Sequence, residues 1–581
     1  CGSIIWAEVK GTPKFLGIHV AGLPADQGMG AFVTKDSLKT VLPSAVTQLG
    51  FAESVEAGFV GQVDTLDTDN VKVPEGFIPL GKTSRAVTCI NNTQLRKTPY
   101  WNCSVDYPCR VAPSVKTPES RYEQEKKYAI KRKPIPAHLL LFAEKVSDLH
   151  YPAPKIPLRQ YTINEACSII PVDASVGWNW DMSRKDLLIQ QADGSYVAHE
   201  KLRVRVQALL DYVNETGEIP MVVITPYLKD ETLDLAKIAV GKIRTFQISQ
   251  LECLIFGVIV LGDYLMYMHA NPITRPSTVG IDPASVEWNK IFSPLMMETD
   301  WKLVDLDYKA MEATITWQLF NSFHRHTTRY YQDEGSPAAL RRLAYLRMMC
   351  YSVMVIDKNA YLRDHGNPSG MYGTTDVNTY CAGVFTFYSL KCCVPDISIT
   401  DVKSVLMCKF NGDDTVLAVA PIIQEQFNFF TVRDALAKLN VEITPAKKNE
   451  EPTPFVEQTQ ITFCKKFILW SDELHAYVPF VKFHTLLDQL SWARDVTDKG
   501  LVQIVNSALA WSFFRGRSRQ NGQIPEDEPT FDEQRDLFVS MIPEMSEHIF
   551  DYDVFLDRYN HPRCLEQAAP VTELFNCMRI F

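Results

Sequence analysis

Two apolar runs, Val405-Leu406-Met407-Cys408 and Val416-Leu417-Ala418-Val419, flank Lys409-Phe410-Asn411-Gly412-Asp413-Asp414. Two short β-forming stretches joined through Asn-Gly read as a hairpin, so this part of the chain must build a sheet with paired aspartates at a turn. Aspartate is common at turns for its own reasons, and Gly-Asp-Asp alone decides little. A second apolar strand, Trp301-Lys302-Leu303-Val304-Asp305-Leu306-Asp307, also ends in carboxylates. A strand-end Asp is often a helix cap. Yet Mg²⁺ takes oxygen ligands, typically one or two carboxylates plus substrate phosphates. Carboxylates from neighbouring strands can hold two such ions about 3.5–4 Å apart, which suits in-line phosphoryl displacement.

A third element is Ser369-Gly370-Met371-Tyr372-Gly373-Thr374-Thr375-Asp376-Val377-Asn378, preceded by the turn pair Asn367-Pro368. Thr374 and Asn378 are four apart, so a helix starting here places both on one face. A glycine loop feeding such a helix could touch a ribose, or could be a capped helix and nothing more.

With 581 residues the chain exceeds one ordinary core, and several lobes are expected. A charged fraction of 22% and an apolar fraction of 46% fit a globular protein. No uninterrupted apolar run reaches membrane-spanning length; Leu251–Val260 is short and carries Glu252. The 14 cysteines show no facing Cys-x-x-Cys pairs, which disfavours a zinc site. A net charge of −10 argues mildly against nucleic-acid binding, although a basic channel can lie inside an acidic shell. The basic stretch from Arg110 to Lys133 reads, on charge alone, as a solvated helix face.

Short strands are expected at Ser3–Val9, Phe15–Val20 and Ala31–Thr34. Acid-rich residues 41–80 read as a linker or arm, and a mixed α/β region follows to about residue 300. Strands and helices alternate over 301–467. From about 480 the pattern turns helical, with Leu486, Leu487, Leu490 and Trp492 at helical spacing.

The order and spacing of these motifs resemble the right-hand RNA-dependent RNA polymerases of picorna-like viruses. Asp307 matches the first aspartate of motif A; Ser369, Gly370, Thr374 and Asn378 match motif B; Gly412-Asp413-Asp414 matches motif C. Leu228-Lys229-Asp230-Glu231 with Lys242-Ile243-Arg244 resembles motif F, whose cations line the nucleotide path. Thr444-Pro445-Ala446-Lys447-Lys448 resembles motif D, implying Lys448 as proton donor to pyrophosphate. Phe463-Cys464-Lys465-Lys466 resembles the primer-gripping motif E, which implies RNA contacts for Lys465 and Lys466. Ser175-Val176-Gly177 resembles the template-guiding motif G through Ser175 and Gly177. Two positions depart from the pattern: Glu312 stands where the second motif A acid is usually Asp, and Asn411 where Tyr usually precedes Gly-Asp-Asp. The resemblance implies that Glu312 and Asn378 form a hydrogen-bonded pair near the ribose.

Upstream, Cys1-Gly2-Ser3 with Gly17-Ile18-His19-Val20-Ala21-Gly22 resembles the end of a chymotrypsin-like viral cysteine protease, with Cys1 as nucleophile and His19 in the substrate pocket. No general base for Cys1 lies in this stretch, so peptidase activity is not expected. The chain is expected to begin at a processing point or an internal cut.

The expected fold class is therefore α+β: a right hand of fingers, palm with antiparallel sheet, and helical thumb, preceded by a partial β-barrel protease fragment. Expected boundaries are 1–40 for that fragment, 41–82 for an arm holding a cleavage site (Gln48 or Gln62), 83–300 for fingers, 301–467 for palm with a fingers insertion at 320–365, and 468–581 for thumb. The resemblance implies Mg²⁺ as two ions on Asp307, Asp413 and Asp414, with Mn²⁺ able to substitute. Expected partners are template and product RNA, nucleoside triphosphates, a protein primer and other viral replication proteins. The expected location is the host cytoplasm at membrane-associated replication complexes. Two other readings stay open: a cysteine endopeptidase, and a non-catalytic RNA-binding replication protein. Carboxylates at the centre of an RNA site count against the second unless metal bridges them to phosphate.

Overall fold

The structure, a computed structural model, describes 78–87, 92–104, 106–218, 222–446, 451–517 and 528–561, together with the backbone strands Ile4–Val9, Thr12–Leu23 and Gln27–Phe32. Those three strands pair consecutively and antiparallel, with His19 opposite Gly30. Cys1 lies outside the described residues.

The aspartate hairpin forms. Its strands are Leu406–Asn411 and Asp414–Val419, joined by the two-residue loop Gly412-Asp413, so Asn411 closes the first strand instead of lying in the connection. Gly412 takes a φ of +64°, which an L side chain adopts only with strain, and Asn411 stays in the ladder opposite Asp414. The strand Lys302–Tyr308 pairs antiparallel with Asp414–Val419, and Ile443–Thr444 adds a short edge, giving a four-stranded sheet. Side chains alternate across it. Val304, Leu306, Tyr308, Leu417 and Val419 join the largest core with helix Thr374–Cys393, while Leu303, Val416 and Ala418 pack on Trp288, Ile291 and Phe292 of helix Val286–Met297.

A second four-stranded sheet runs Thr245–Ile248, Val222–Leu228, Ser352–Arg363 and Ile78–Val87. Two features of the expected division, the 82/83 boundary and the insertion at 320–365, meet this sheet. Ile78–Val87 crosses the boundary set at 82/83. The segment after the first sheet's opening strand passes through helices Trp317–Tyr331 and Pro337–Cys350 to deliver Ser352–Arg363 into this second sheet.

The C-terminal part holds its own core around helices Phe483–Leu490, Asp498–Ser512, Phe531–Ser540 and Tyr552–Asn560. Trp492 leaves the helix and pairs, with Ala493, against Arg96–Lys97. Through that junction the upstream chain enters the C-terminal core: Tyr100 is 1% exposed there, and its hydroxyl donates to the Phe538 carbonyl at 2.9 Å.

The basic stretch is only in part a solvated face: Lys126, Lys131 and Lys133 are exposed, but four other cations of the stretch meet acids. Arg110 pairs with Asp488, Lys116 with Asp230, buried Arg121 with Asp357, and Lys127 with Glu312. Each cation neutralises an acid distant in sequence, which charge counting cannot see. Among the described residues one helix, Leu251–His269, is long and apolar enough to cross a membrane, and 78% of its most apolar window is buried inside the protein.

Candidate active site

Register fixes the carboxylates. Asp307 and Asp414 are direct cross-strand partners, so both side chains point to the same face of the sheet, the one that also carries Leu303, Val416 and Ala418. Asp413 follows at the exposed tip. Where the apolar cover of that face ends, a second hairpin closes over it: Phe463 and Lys466 flank a two-residue loop of Cys464 and Lys465, both with positive φ. The Cys464 side chain lies beside the Asp414 carboxylate. Burial, reinforced by the charges of Asp413 and Asp307, raises the Asp414 carboxyl to about 7.

That crowding is what a divalent cation would relieve, and an all-carboxylate oxygen set suits Mg²⁺ or Mn²⁺. The three aspartates therefore fit such an ion in chemistry, although among the described residues no three acidic, His or Cys side chains converge into a ready coordination shell. The crowding also has a consequence for stability without metal. Between the ordinary value of 3.8 and about 7 the folded protein holds a proton that the unfolded chain has released. Stability therefore falls as pH rises through that window. Asp414→Asn, measured by thermal unfolding in chelator, is expected to stabilise the protein by about 2–4 kcal/mol at pH 8 and by little at pH 4. Equal shifts at both pH values would contradict the charge-crowding account.

Cations approach from the second sheet. Arg244, just before strand Thr245–Ile248, makes a paired contact to Glu231 through Nε at 2.8 Å and through Nη2, and it feels the charges of Asp413 and Glu312. Lys229 lies 3.7 Å from Glu231; burial and then Arg244 lower its ammonium. Lys242 is exposed. Lys465 is exposed at its turn, whereas Lys466 is buried, with its ammonium on the Cys464 carbonyl at 3.2 Å and over the Trp511 ring. Of the two lysines expected to grip RNA, Lys466 thus faces inward: it sits across the ladder from Phe463, whose side chain is core. Lys448 lies outside the described residues.

The Ser369–Gly370 loop is stitched to strand Thr245–Ile248. The Gln247 N–H donates to Ser369 Oγ at 3.0 Å, the Ser249 hydroxyl to the Gly370 carbonyl at 3.0 Å, and Gly370 bridges Ile248 in parallel. The Thr374 hydroxyl turns back to the Pro368 and Met371 carbonyls at 2.7 and 2.8 Å, and helix Thr374–Cys393 begins there. Ser175 Oγ accepts from the Gly177 N–H at 3.2 Å, and Gly177 lies close against the Ser249 carbonyl. Strand Thr245–Ile248 and its continuation thus touch three of the motifs.

Glu312 and Asn378 do not bond each other. The Glu312 carboxylate takes Lys127, whose charge and hydrogen bond outweigh burial and hold its carboxyl below the usual range. The Asn378 amide oxygen accepts from Asn367 Nδ2 at 2.7 Å, and the Asn367 N–H donates to the Glu312 carbonyl at 2.7 Å. The Glu312 side chain thus goes to a cation, and Asn367 links Asn378 to the Glu312 backbone. Lys127 and Asn367 are the site residues the motif reading missed. Lys127 was in view within the basic stretch, but only the fold shows which acid it meets.

Residues 108–518 match the family described as viral RNA-dependent RNA polymerase. The genome polyprotein of Human klassevirus 1 is 23% identical over 507 residues, covering 85% of this chain and 19% of that polyprotein. The RNA1 polyprotein of Beet ringspot virus is 22% identical over 479 residues, covering 78% and 21%. The replicase polyprotein of Drosophila C virus is 21% identical over 562 residues, covering 88% and 32%. The chain thus spans about a fifth to a third of these relatives. A solved sicinivirus 3Dpol RNA-dependent RNA polymerase shares the fold at a TM-score of 0.69 and 19% identity, covering 83% of this chain and 98% of that one.

Proposed function

Since the chain belongs to the viral RNA-dependent RNA polymerase family, we propose that it extends RNA by template-directed nucleotidyl transfer, and that Asp307, Asp413 and Asp414 are its metal ligands. The observation that carries this reading is the pairing of Asp307 with Asp414 across adjacent strands, with Asp413 at the tip beside them. Bound Mg²⁺, or Mn²⁺ in its place, would supply Lewis-acid activation of the 3′-hydroxyl and charge neutralisation on the triphosphate. Arg244, Lys229 and Lys242 bind and orient the phosphates, since positioning and electrostatics carry most of phosphoryl transfer. Ser369, Gly370, Thr374 and Asn378 shape the nucleotide side. Ser175 and Gly177 guide the template, and Lys465 meets the primer strand. By the family resemblance Lys448 gives a proton to the departing pyrophosphate.

In this reading the sheet of Lys302–Tyr308 is the palm, the sheet of Val222–Leu228 belongs to the fingers, and the C-terminal helices are the thumb. Residues 1–40 carry the end of a cysteine protease, which Cys1-Gly2-Ser3 and the strands after it support. A protein primer and work at membrane-associated replication complexes in the host cytoplasm belong to the same proposal. The test is incorporation of labelled nucleotide by the purified chain on a homopolymer RNA with a complementary primer. Incorporation that needs the matching template supports the reading. RNA binding without incorporation would favour a non-catalytic replication protein, and hydrolysis of a Gln-containing peptide lost in Cys1→Ala would favour the endopeptidase.

Sugar choice gives a sharper expectation. Asn378 is held by Asn367, while Glu312 is committed to Lys127. A site that hydrogen-bonds a hydroxyl rejects the analogue lacking it because its polar group is left unpaired. Asn378→Ala should lower the ATP-over-dATP ratio of catalytic efficiencies about tenfold or more, and Glu312→Ala should lower it less. An unchanged ratio in Asn378→Ala would remove Asn378 from sugar recognition.

A further inference from the structure

Gln247 lies in strand Thr245–Ile248, 2% exposed, and no motif singles it out. Its side-chain amide is bonded on both ends. The oxygen accepts from the Ser369 N–H and from the Tyr128 hydroxyl, each at 3.2 Å. The nitrogen donates to the carboxylate of Glu125, at 3.0 and 3.3 Å to its two oxygens. Glu125 is fully buried at the end of helix Pro118–Glu125, and it also accepts from the Thr245 hydroxyl at 2.5 Å. The Tyr128 hydroxyl also accepts from the nitrogen at 3.0 Å, so the orientation of the amide is set by the Ser369 N–H facing the oxygen and the Glu125 carboxylate facing the nitrogen. The backbone of the same residue donates to Ser369 Oγ, and its carbonyl lies against Gly370.

We propose that Gln247, held by Glu125, is a positioning residue for the Ser369–Gly370 loop, fixing where that loop meets the template and incoming nucleotide. This rests on the polymerase reading and deepens it. Two of the loop's polar groups, the Ser369 N–H and hydroxyl, end on this one residue, and Glu125 ties it in turn to the helix whose continuation carries Lys127 to Glu312. One buried carboxylate–amide contact thereby sets the nucleotide loop and the turn Met311–Ala313 against a common support.

The pairing can be exchanged. Gln247→Glu sets two carboxylates face to face in a buried site, where unpaired charge is strongly unfavourable. The double variant Glu125→Gln/Gln247→Glu restores an amide facing a carboxylate, and it leaves the Ser369 N–H, the Tyr128 hydroxyl and the Thr245 hydroxyl each with an oxygen to meet. In single-nucleotide extension at saturating primer–template, Gln247→Glu is expected to lower kcat/KM for the nucleotide on the order of tenfold or more, and the double variant to return within about threefold of wild type. Hydrogen exchange gives a readout that does not depend on activity: amides of residues 367–373 should exchange faster in Gln247→Leu and Gln247→Glu and recover in the double variant. A double variant no better than the product of its two single effects would overturn the proposal, as would unchanged exchange in both Gln247 variants. If the wild type extends no primer, the polymerase reading fails, while the exchange data still decide whether Gln247 positions the loop.

Discussion

Asp413→Ala should abolish nucleotide incorporation and leave the fold unchanged. Asp413 occupies the exposed second position of a two-residue loop whose flanking strands, Leu406–Asn411 and Asp414–Val419, pair along their length, the second also with Lys302–Tyr308. Truncating a surface tip moves stability by little, typically within about 0.5 kcal/mol. Chemistry is affected differently. A metal ion stabilises phosphoryl-transfer charge by several kcal/mol, so losing a ligand should cost on the order of 10³-fold or more in single-turnover rate. Unfolding midpoints by circular dichroism and single-turnover extension, measured on the same preparation, check both halves. A variant that unfolds early would mean that the loss of activity says nothing about the metal.

The second large effect falls on Gly370. A Cβ built there would lie 1.9 Å from the Gln247 carbonyl oxygen and 3.2 Å from the Ile248 Cα. Both are backbone atoms of a strand paired across the second sheet, so neither can swing aside as a flexible side chain would. Gly370→Ala must separate the loop from the strand, breaking the Ser249 contact to the Gly370 carbonyl and shifting Ser369 with it. Displacing a positioned group by about 1 Å can cost on the order of 10²-fold in rate, and the lost close approach should cost about 2–4 kcal/mol of stability. Activity and thermal unfolding of Gly370→Ala near wild type would show that the loop does not depend on this contact.

The sequence made the strand ends legible because apolar runs closed by carboxylates need only local chemistry to be seen. The hairpin frame was less legible. Asn-Gly marks a connection but not its bounds: the chain turns at Gly412-Asp413, in the register that keeps Asn411 opposite Asp414 and sets Asp414 against Asp307. The Cys464-Lys465 turn was seen only by resemblance. Both residues take positive φ without Gly or Asn, at about 1–2 kcal/mol each, which tertiary packing must offset. Helix Thr374–Cys393 has apolar residues buried on nearly every side, so it offered no amphipathic stripe, and only its first turn could be read. Lys116, Arg121 and Lys127 were misread as solvated because their partners, Asp230, Asp357 and Glu312, are more than a hundred positions away. Gln247 carries no local signal at all. Its role comes from facing Glu125 and Ser369, which only the folded chain brings together.

Metal-dependent, template-directed transfer at this acidic sheet end is tested most directly by single-nucleotide extension of one RNA primer–template, offered each of the four nucleoside triphosphates separately, with Mg²⁺ or with chelator, by wild type and Asp413→Ala. Extension by one residue is expected with the complementary nucleotide only, by wild type only, and only with metal. Extension in chelator, extension by Asp413→Ala at the wild-type rate, or addition without regard to the templating base would contradict it.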